Sequence, residues 1–204
     1  MKLYQSVGPN PRAVKMFIAE KGMDVERVEV DLPGGENRQA PYLGKNPSGQ
    51  MPCLELDDGS YLAEITAICE YLEEKQPSPP LIGTTPEERA QTRMWTRRVD
   101  LRICEPMANG FRFGEGLPLF KDRILCVPEA SPGLKAMARN GEAWLEGQLK
   151  GPWICGDRFS LADVVLFAFI DFGGLVGQPL DPGFKTLTDW YQRVKARPSA
   201  AASA

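Results

Sequence analysis

A proline-rich stretch from Gln76 to Thr85 divides the sequence into two parts with different hydrophobic periodicity. It carries three prolines and Gly83, which is too many for a regular helix or strand and suits a semi-rigid linker. A chain of 204 residues is long enough to form two compact domains. We therefore predict a first domain at residues 1–76, a linker at 77–85 and a second domain at 86–204.

Apolar residues in the first part are spaced in the order strand, helix, strand, loop, strand, strand, helix. The first strand covers residues 2–5, and a helix is predicted to open at Asn10-Pro11 and to end at Gly22. The later elements are marked, in chain order, by Val28, Val30 and Leu32; Leu54 and Leu56; Tyr61 and Leu62; and Ile65, Ile68, Cys69 and Leu72. This pattern predicts an α/β domain built on a mixed four-stranded sheet.

The second part shows helical spacing only, and two capping boxes predict where helices begin. Thr85 is followed by Glu88 three residues later, and Ser160 is followed by Asp163. Residues 164–170 are apolar on every side, as in a helix at the centre of a domain. We predict an all-α helical domain in which Asp163 caps a helix and is not catalytic.

The chain contains no histidine, which excludes Ser-His-Asp and Cys-His nucleophile systems and HExxH metal sites. Its five cysteines form no CxxC pair, so neither a zinc site nor a disulfide framework is predicted, and buried thiols are preferred. No metal is expected. Any chemistry must use hydroxyls, amides, carboxylates, backbone dipoles or the reactive group of a bound cofactor.

Charge and hydropathy exclude two classes of partner. The net charge of −3 provides no basic face for nucleic acid or anionic lipid, and no apolar run approaches the length of a membrane span. The amino terminus enters a strand pattern without a signal-peptide apolar region. These features predict a cytoplasmic protein.

Three motifs in the same order resemble the cytosolic glutathione transferase family, in bacterial-type members. They are Asn46-Pro47-Ser48-Gly49-Gln50-Met51-Pro52-Cys53-Leu54, then Glu64-Ile65-Thr66-Ala67-Ile68, and Gly156-Asp157-Arg158-Phe159-Ser160-Leu161-Ala162-Asp163. The resemblance implies that the first domain is thioredoxin-like and binds glutathione, and that the second carries the electrophile site. It also implies a homodimer.

The resemblance assigns glutathione-binding roles in the first domain. It implies a cis Met51-Pro52 bond, which would turn the Met51 backbone toward the cysteinyl part of glutathione like an added strand. Glu64 would face the α-amino group, and the helix N-terminus beyond it would bind the γ-glutamyl carboxylate. Ile65 replaces the usual serine, so only its backbone N–H is retained. Near the glycine end we expect Asn37, Lys45 and Gln50.

Thiol addition requires the thiolate, whereas a free thiol with a pKa of about 8.5 is mostly protonated at neutral pH. The family's donor lies near the loop after the first strand, where this chain has Pro9 and Asn10 in place of serine or cysteine. Asn10 is our first candidate and Ser6 the second. Asn10 is also predicted to cap its helix, and the two roles are compatible because the cap uses the oxygen and leaves the NH2 free.

In the second domain, we predict that the electrophile site contains Trp95, Arg98 and Arg102, with the two arginines on one helical face suited to an anionic substrate. The favoured function is addition of glutathione to hydrophobic electrophiles. Two alternatives stay open: a glutathione-dependent reductase of disulfides or peroxides, and a non-catalytic glutathione-binding protein on the same fold.

Overall fold

The computed structural model describes all 204 residues. Residue contacts divide them into two compact units, one containing Met1–Pro80 together with Pro198–Ala204 and the other containing Leu81–Arg197. The division falls between Pro80 and Leu81, inside the predicted linker. The predicted assignment of 86–204 to the second domain is wrong for the last seven residues, because Pro198–Ala204 packs with the first unit. No helix has both the length and the apolar character needed to cross a membrane.

The first unit is built on a mixed four-stranded sheet flanked by helices, as predicted. Its strands are β1 (Lys2–Gln5), β2 (Glu26–Glu29), β3 (Cys53–Glu55) and β4 (Tyr61–Ala63), and its helices are α1 (Pro9–Lys21), α2 (Ala40–Leu43) and α3 (Ile65–Lys75), with a short 3-10 turn at Glu36–Arg38. The strand order is β2-β1-β3-β4, with β1 parallel to β2 and antiparallel to β3. This is the thioredoxin-like arrangement.

Two strands are shorter than the alternation predicted. β2 ends at Glu29, so Val30 and Leu32 lie beyond it, and β3 ends before Leu56. Val30 is nevertheless 3% exposed, because it packs in a small core with Tyr42, Met51 and Cys53. Val30 also still donates to the Gln5 carbonyl of β1 at 2.8 Å, so burial and backbone bonding continue past the end of β2, and apolar alternation alone cannot mark where a strand stops.

The helices of the first unit are joined by a buried ion pair. The Lys21 ammonium lies 2.8 Å from a Glu73 carboxylate oxygen, with both side chains almost fully buried, and it also donates to the Pro79 carbonyl at 2.7 Å. The pair links the end of α1 to α3. The last helix of the chain, α10 (Pro198–Ala202), also belongs to this unit and packs on α1.

The second unit is all helical, as predicted. Its helices are α4 (Pro86–Val99), α5 (Glu105–Phe113), α6 (Leu117–Phe120), α7 (Ser131–Glu146), α8 (Leu161–Leu175) and α9 (Lys185–Lys195), with a π-helical segment at Asp100–Cys104 and a 3-10 turn at Pro128–Ala130. Residues 161–170 of α8 are all buried. This confirms α8 as the central helix.

Asp163 caps α8 as predicted and has a second structural role. One of its oxygens accepts from the Ser160 N–H at 2.9 Å, and the other accepts from the Ile154 N–H at 2.9 Å and the Trp190 indole at 2.8 Å. Burial raises the pKa of Asp163 to about 6. At Thr85 the box is only half formed, since Thr85 accepts from the Glu88 N–H while the Glu88 carboxylate binds Thr84.

Candidate functional site

The strand register brings the predicted glutathione residues of the first unit to one edge of the sheet. Tyr4 lies opposite Cys53 across β1 and β3, so the same register, continued by two residues, places Ser6 opposite Met51. Cys53 lies opposite Ala63 across β3 and β4, so Pro52 comes opposite Glu64. The ends of three strands and the N-termini of α1 and α3 meet at this edge.

The loop that leads to this edge is held by side chains that bind its carbonyl groups. The Asn37 amide donates to the Gly49 carbonyl at 2.7 Å. The Tyr42 hydroxyl and the Asn46 amide both donate to the Gln50 carbonyl, at 2.6 and 2.8 Å. We call residues 49–51, with these three bonds, the Gly49–Met51 loop. It ends in the cis Met51-Pro52 peptide bond that the resemblance implied.

Asn37 makes an internal contact that the sequence did not predict. It is 2% exposed, and its amide group is already bonded to Gly49, so its position favours supporting the loop over contacting glutathione. Gln50, in contrast, has an exposed side chain, while its backbone is held in place by the hydrogen bonds to its carbonyl group. Gly49 has a φ of 64°, and a Cβ atom there would lie 3.0 Å from the Asn37 carbonyl oxygen, so a glycine is required.

Glu64 has the only positive φ among the non-glycine residues, at 69°. It is the N-cap of α3, its side chain makes no capping hydrogen bond, and it is exposed. Such a backbone costs on the order of 1–3 kcal/mol and tends to occur at functional sites. Ile65 begins α3 and is only partly buried.

The N-terminus of α1 contradicts the prediction that Asn10 caps the helix. Gly8 is the N-cap, with a φ of 121° that favours glycine, and α1 begins at Pro9. Pro9 and Pro11 have no N–H group, so Asn10 supplies the one backbone N–H among the first three helical positions. Its partly exposed side chain lies on the same turn. Ser6 directly follows β1 and is 8% exposed.

Lys45 is held on the sheet by two tyrosines. Its ammonium donates to the Tyr61 hydroxyl at 3.0 Å and lies 4.8 Å from the Tyr4 ring centroid and 4.9 Å from that of Tyr61. The hydrogen bond with Tyr61 raises the pKa of Lys45. Lys45 thus already contacts two tyrosines of the protein. Its position therefore provides no additional support for the predicted contact with the glycine carboxylate of glutathione.

A second cation in this region was missed. Arg38 donates to the Ser48 carbonyl at 3.3 Å, and its Nη1 lies 3.0 Å from the point where a Cβ on Gly49 would be. The signal was available, because Arg38 and Lys45 are the two basic residues of the polar loop at 34–49.

Other candidate donors and nucleophiles of the first unit are occupied or buried. The Tyr4 hydroxyl donates to Glu55 at 2.7 Å. Burial raises the pKa of the Cys53 thiol to about 11, and it also raises that of Cys69. Of the five cysteines, only Cys126 is not fully buried, which agrees with the expectation of structural thiols.

In the second unit, each of the predicted electrophile-site residues lies against an aromatic ring. Trp95 contacts Trp144 with ring centroids 5.9 Å apart, Arg98 lies 5.0 Å from the Trp95 centroid, and Arg102 lies 4.4 Å from that of Trp144. The two arginines are four residues apart, but Arg98 lies in α4 and Arg102 in the π-helical segment, so the regular α-helical geometry that the prediction assumed does not hold between them. Trp144 was not predicted here, because it is far away in sequence.

Comparison with known proteins identifies the family. Residues 7–75 match the family model for the glutathione S-transferase N-terminal domain, and residues 121–198 match that for the C-terminal domain. The chain belongs to the glutathione S-transferase family. This family member is 34% identical over 197 residues to glutathione S-transferase 2 of Saccharomyces cerevisiae, covering 94% of this chain and 84% of the yeast protein.

Two further comparisons bear on the activity of this member of the glutathione S-transferase family. The crystal structure of Gtt2 from Saccharomyces cerevisiae superposes with a TM-score of 0.93 at 32% identity, covering 100% of both chains. Maleylacetoacetate isomerase of Pseudomonas aeruginosa is 36% identical over 171 residues, covering 81% of this chain and 78% of the isomerase. Both a transferase and an isomerase are thus among its relatives.

Proposed function

We propose that this protein is a glutathione transferase that adds the thiolate of glutathione to hydrophobic electrophiles. The observation that carries the proposal is the edge of the first unit where Ser6, Met51 and Glu64 come together beside two helix N-termini. Family membership supports glutathione as the co-substrate. A cytoplasmic location and a homodimer accompany the proposal as expectations.

Glutathione would bind this edge mainly through the protein backbone. The Met51 N–H and C=O would pair with its cysteinyl residue, and the free N–H groups at the start of α3 would bind the γ-glutamyl carboxylate. Glu64 would face the α-amino group as an opposite charge. Gln50, with Arg38 and Lys45 as candidate cations, would take the glycine end.

Activation of the thiol is assigned to Asn10, with Ser6 as the alternative. Lowering the thiol pKa by two units requires about 2.7 kcal/mol of preferential stabilisation of the thiolate. A hydrogen bond to a charged group contributes about 1.5–3 kcal/mol, and the helix dipole adds to it. Asn10 offers both a backbone N–H and a side-chain NH2 at the positive end of α1, where the prolines offer none.

The reaction then uses the co-substrate as the nucleophile. The thiolate sulfur attacks the electrophilic carbon, a C–S bond forms, and a leaving group departs with its electron pair or, in an addition, the product carbanion takes a proton. Trp95, Arg98 and Arg102 stay proposed contacts to the electrophile. No cysteine of the chain is required.

An isomerase is the second candidate, and the similarity to the Pseudomonas isomerase favours it. In that reaction the thiolate adds to a conjugated double bond, the bond rotates, and elimination returns glutathione. The same binding edge and the same thiolate serve both reactions. Product analysis separates them, because glutathione stays in the product of a transferase and is recovered unchanged from an isomerase. Recovery of glutathione disulfide would indicate the reductase alternative.

The deciding experiment is a pH titration of bound glutathione, followed by thiolate absorbance, in the wild type and in Asn10→Ala and Ser6→Ala. We expect a bound-thiol pKa well below about 8.5 that rises by about one unit or more in Asn10→Ala. Tyr4→Phe is the control, since that hydroxyl binds Glu55. Binding with an unshifted pKa would favour a non-catalytic glutathione-binding protein, and absence of binding would refute the proposal.

A further inference from the structure

Arg112 in the second unit is a partly buried cation that lacks an acidic partner. It lies in the last turn of α5, where its guanidinium donates to the Asn109 side-chain oxygen at 3.0 Å and lies 5.9 Å from the centroid of the Phe120 ring. No carboxylate oxygen comes within ion-pair distance, 4.0 Å, of this guanidinium. Arginines are almost never fully buried unless they are paired, and Arg112 is partly buried with only a neutral amide oxygen as its acceptor.

Two titratable groups act on Arg112 from nearby. Glu105, on the same helix, is exposed and accepts from Asn109 at 3.3 Å, so its effect on Arg112 is exerted through space. The Cys126 thiol lies 4.0 Å from the Arg112 carbonyl. Burial lowers the pKa of Arg112, yet a guanidinium stays protonated at neutral pH. The cation is therefore partly desolvated and has capacity for an anion.

The Phe120 ring near this charge belongs to a chain of three packed aromatic rings. Phe111 packs edge-to-face on Phe120, with centroids 6.1 Å apart, and on Phe172, with centroids 5.2 Å apart. All three rings are partly exposed, and they come from α5, α6 and α8. We call Phe111, Arg112, Phe120 and Phe172 the Arg112 cluster. Because aromatic pairs are stabilised in edge-to-face or offset-stacked arrangements, the exposed parts of these rings suit contact with an aromatic ligand.

Arg98 and Arg102 differ from Arg112 in their hydration. Both are exposed and lie against tryptophan rings, so water already solvates their charge and an anion gains little by binding them. A partly desolvated guanidinium binds a carboxylate more strongly, and its planar fork fixes the orientation of the ligand. Arg112 is therefore better suited than Arg98 or Arg102 to select a substrate that carries a negative charge.

We propose that the Arg112 cluster is a specificity subsite for aromatic electrophiles that carry a carboxylate group. The inference rests on the proposed glutathione transferase function and names a substrate class for it. Arg112 would bind the carboxylate, while the phenylalanine rings contact the aromatic ring. The carboxylate takes no part in bond making: the glutathione sulfur attacks the ring carbon that bears chlorine, a C–S bond forms, and chloride leaves.

The test compares a chloronitrobenzoate, with chlorine para to the carboxylate and ortho to the nitro group, with its neutral carboxamide. We expect Arg112→Met to lower kcat/KM for the acid by about tenfold or more, and for the amide by less than about twofold. Arg112→Lys keeps the charge and loses the fork, so it should give an intermediate loss. Arg97→Met is the matched control, because it removes an exposed positive charge from the same unit.

Three results would overturn the inference. They are an equal loss for acid and amide, no loss for the acid in either Arg112 variant, or the acid-specific loss in Arg102→Met instead. Thermal unfolding of each variant checks that it folds. If Arg112→Met does not fold, Arg112→Lys decides the question by the same acid-to-amide ratio.

A binding measurement separates failure of this inference from failure of the proposed function. Nitrobenzoate, which lacks the leaving chlorine, is titrated by calorimetry into the full chain without glutathione. Binding that weakens about tenfold in Arg112→Met, in a protein that conjugates nothing, would retain the subsite and refute the transferase. Conjugation of neutral electrophiles without any binding of nitrobenzoate would retain the transferase and refute the subsite.

Discussion

The Gly49–Met51 loop and the Arg112 cluster use their side chains in opposite ways. In the loop, the side chains of Asn37, Tyr42 and Asn46 bind its own carbonyl groups, and the backbone is what remains for a ligand. In the Arg112 cluster, the guanidinium has one side-chain acceptor and remains available.

Because of this difference, we expect a substitution to affect protein stability and ligand affinity together in the loop, but separately at Arg112. A substitution in the loop removes an internal bond and also moves the surface offered to glutathione, so both quantities should change together. A substitution of Arg112 removes a group with little internal bonding, so affinity should change with little loss of stability. The following variants test whether the first coupling holds.

The largest effect is expected for Gly49→Ala. A left-handed backbone costs a non-glycine residue about 1–2 kcal/mol, and the new Cβ would lie 3.0 Å from the Asn37 carbonyl oxygen. We expect the free energy of unfolding to fall by about 2–3 kcal/mol, with at least about a tenfold weaker glutathione affinity, measured by urea unfolding and calorimetry.

Gly59→Ala is the matched control for that variant. Gly59 has a φ of 84°, and no atom lies within 4 Å of the position that a Cβ would take there, so it carries the backbone cost without the crowding. It should lose about 1 kcal/mol of stability and keep its glutathione affinity. An equal loss of affinity in both variants would mean that stability alone, and not loop shape, controls binding.

Asn37→Ala should have the next largest effect. It leaves the Gly49 carbonyl without its buried donor, and such a loss costs about 1–3 kcal/mol. The expected result is a fall of about 2 kcal/mol in the free energy of unfolding together with weaker glutathione binding. Weaker binding at unchanged stability would instead support the original prediction that Asn37 contacts the ligand directly.

Glu64→Gly should act in the opposite direction on stability. Glycine relieves the cost of the 69° φ, about 1–3 kcal/mol, and loses about 0.5–1 kcal/mol through backbone entropy. We expect a gain of about 1 kcal/mol in unfolding free energy and a weaker affinity for glutathione. A variant that is less stable than the wild type would show that the Glu64 backbone is not strained.

The sequence predicted what depends on local pattern and short-range chemistry. Apolar spacing located the four strands and the helices α1 and α3 of the first unit, but α2 lies in a segment predicted to be a loop. In the second unit it predicted helical structure throughout, and the Ser160–Asp163 box located the start of α8. The Asn46–Leu54 and Glu64–Ile68 motifs lie at the edge where we propose that glutathione binds, because residues next to each other in a motif remain next to each other in the fold.

What was missed depends on contacts between distant residues. Asn10 was expected to cap α1, but Gly8 reaches a backbone conformation that starts the helix one residue before Asn10. Asn37 and Lys45 are predicted to lie beside glutathione because they are polar loop residues, but their contacts with Gly49 and Tyr61 could not be predicted, because those contacts depend on the tertiary structure. Trp144 packs on Trp95 from a distant part of the chain, and no local pattern reports such a pair.

The smallest effect is expected for Tyr42→Phe. Burial raises the pKa of Tyr42, so its hydroxyl stays a donor at neutral pH, but Asn46 donates to the same Gln50 carbonyl and would keep it satisfied. We therefore expect a loss of only about 0.5 kcal/mol in unfolding free energy and at most about a twofold change in glutathione affinity. Tyr4→Phe, whose hydroxyl binds Glu55 outside the loop, should leave that affinity unchanged. A loss in Tyr42→Phe as large as in Asn37→Ala would mean that the two donors to Gln50 act as one unit, and the loop would then depend on all three bonds together.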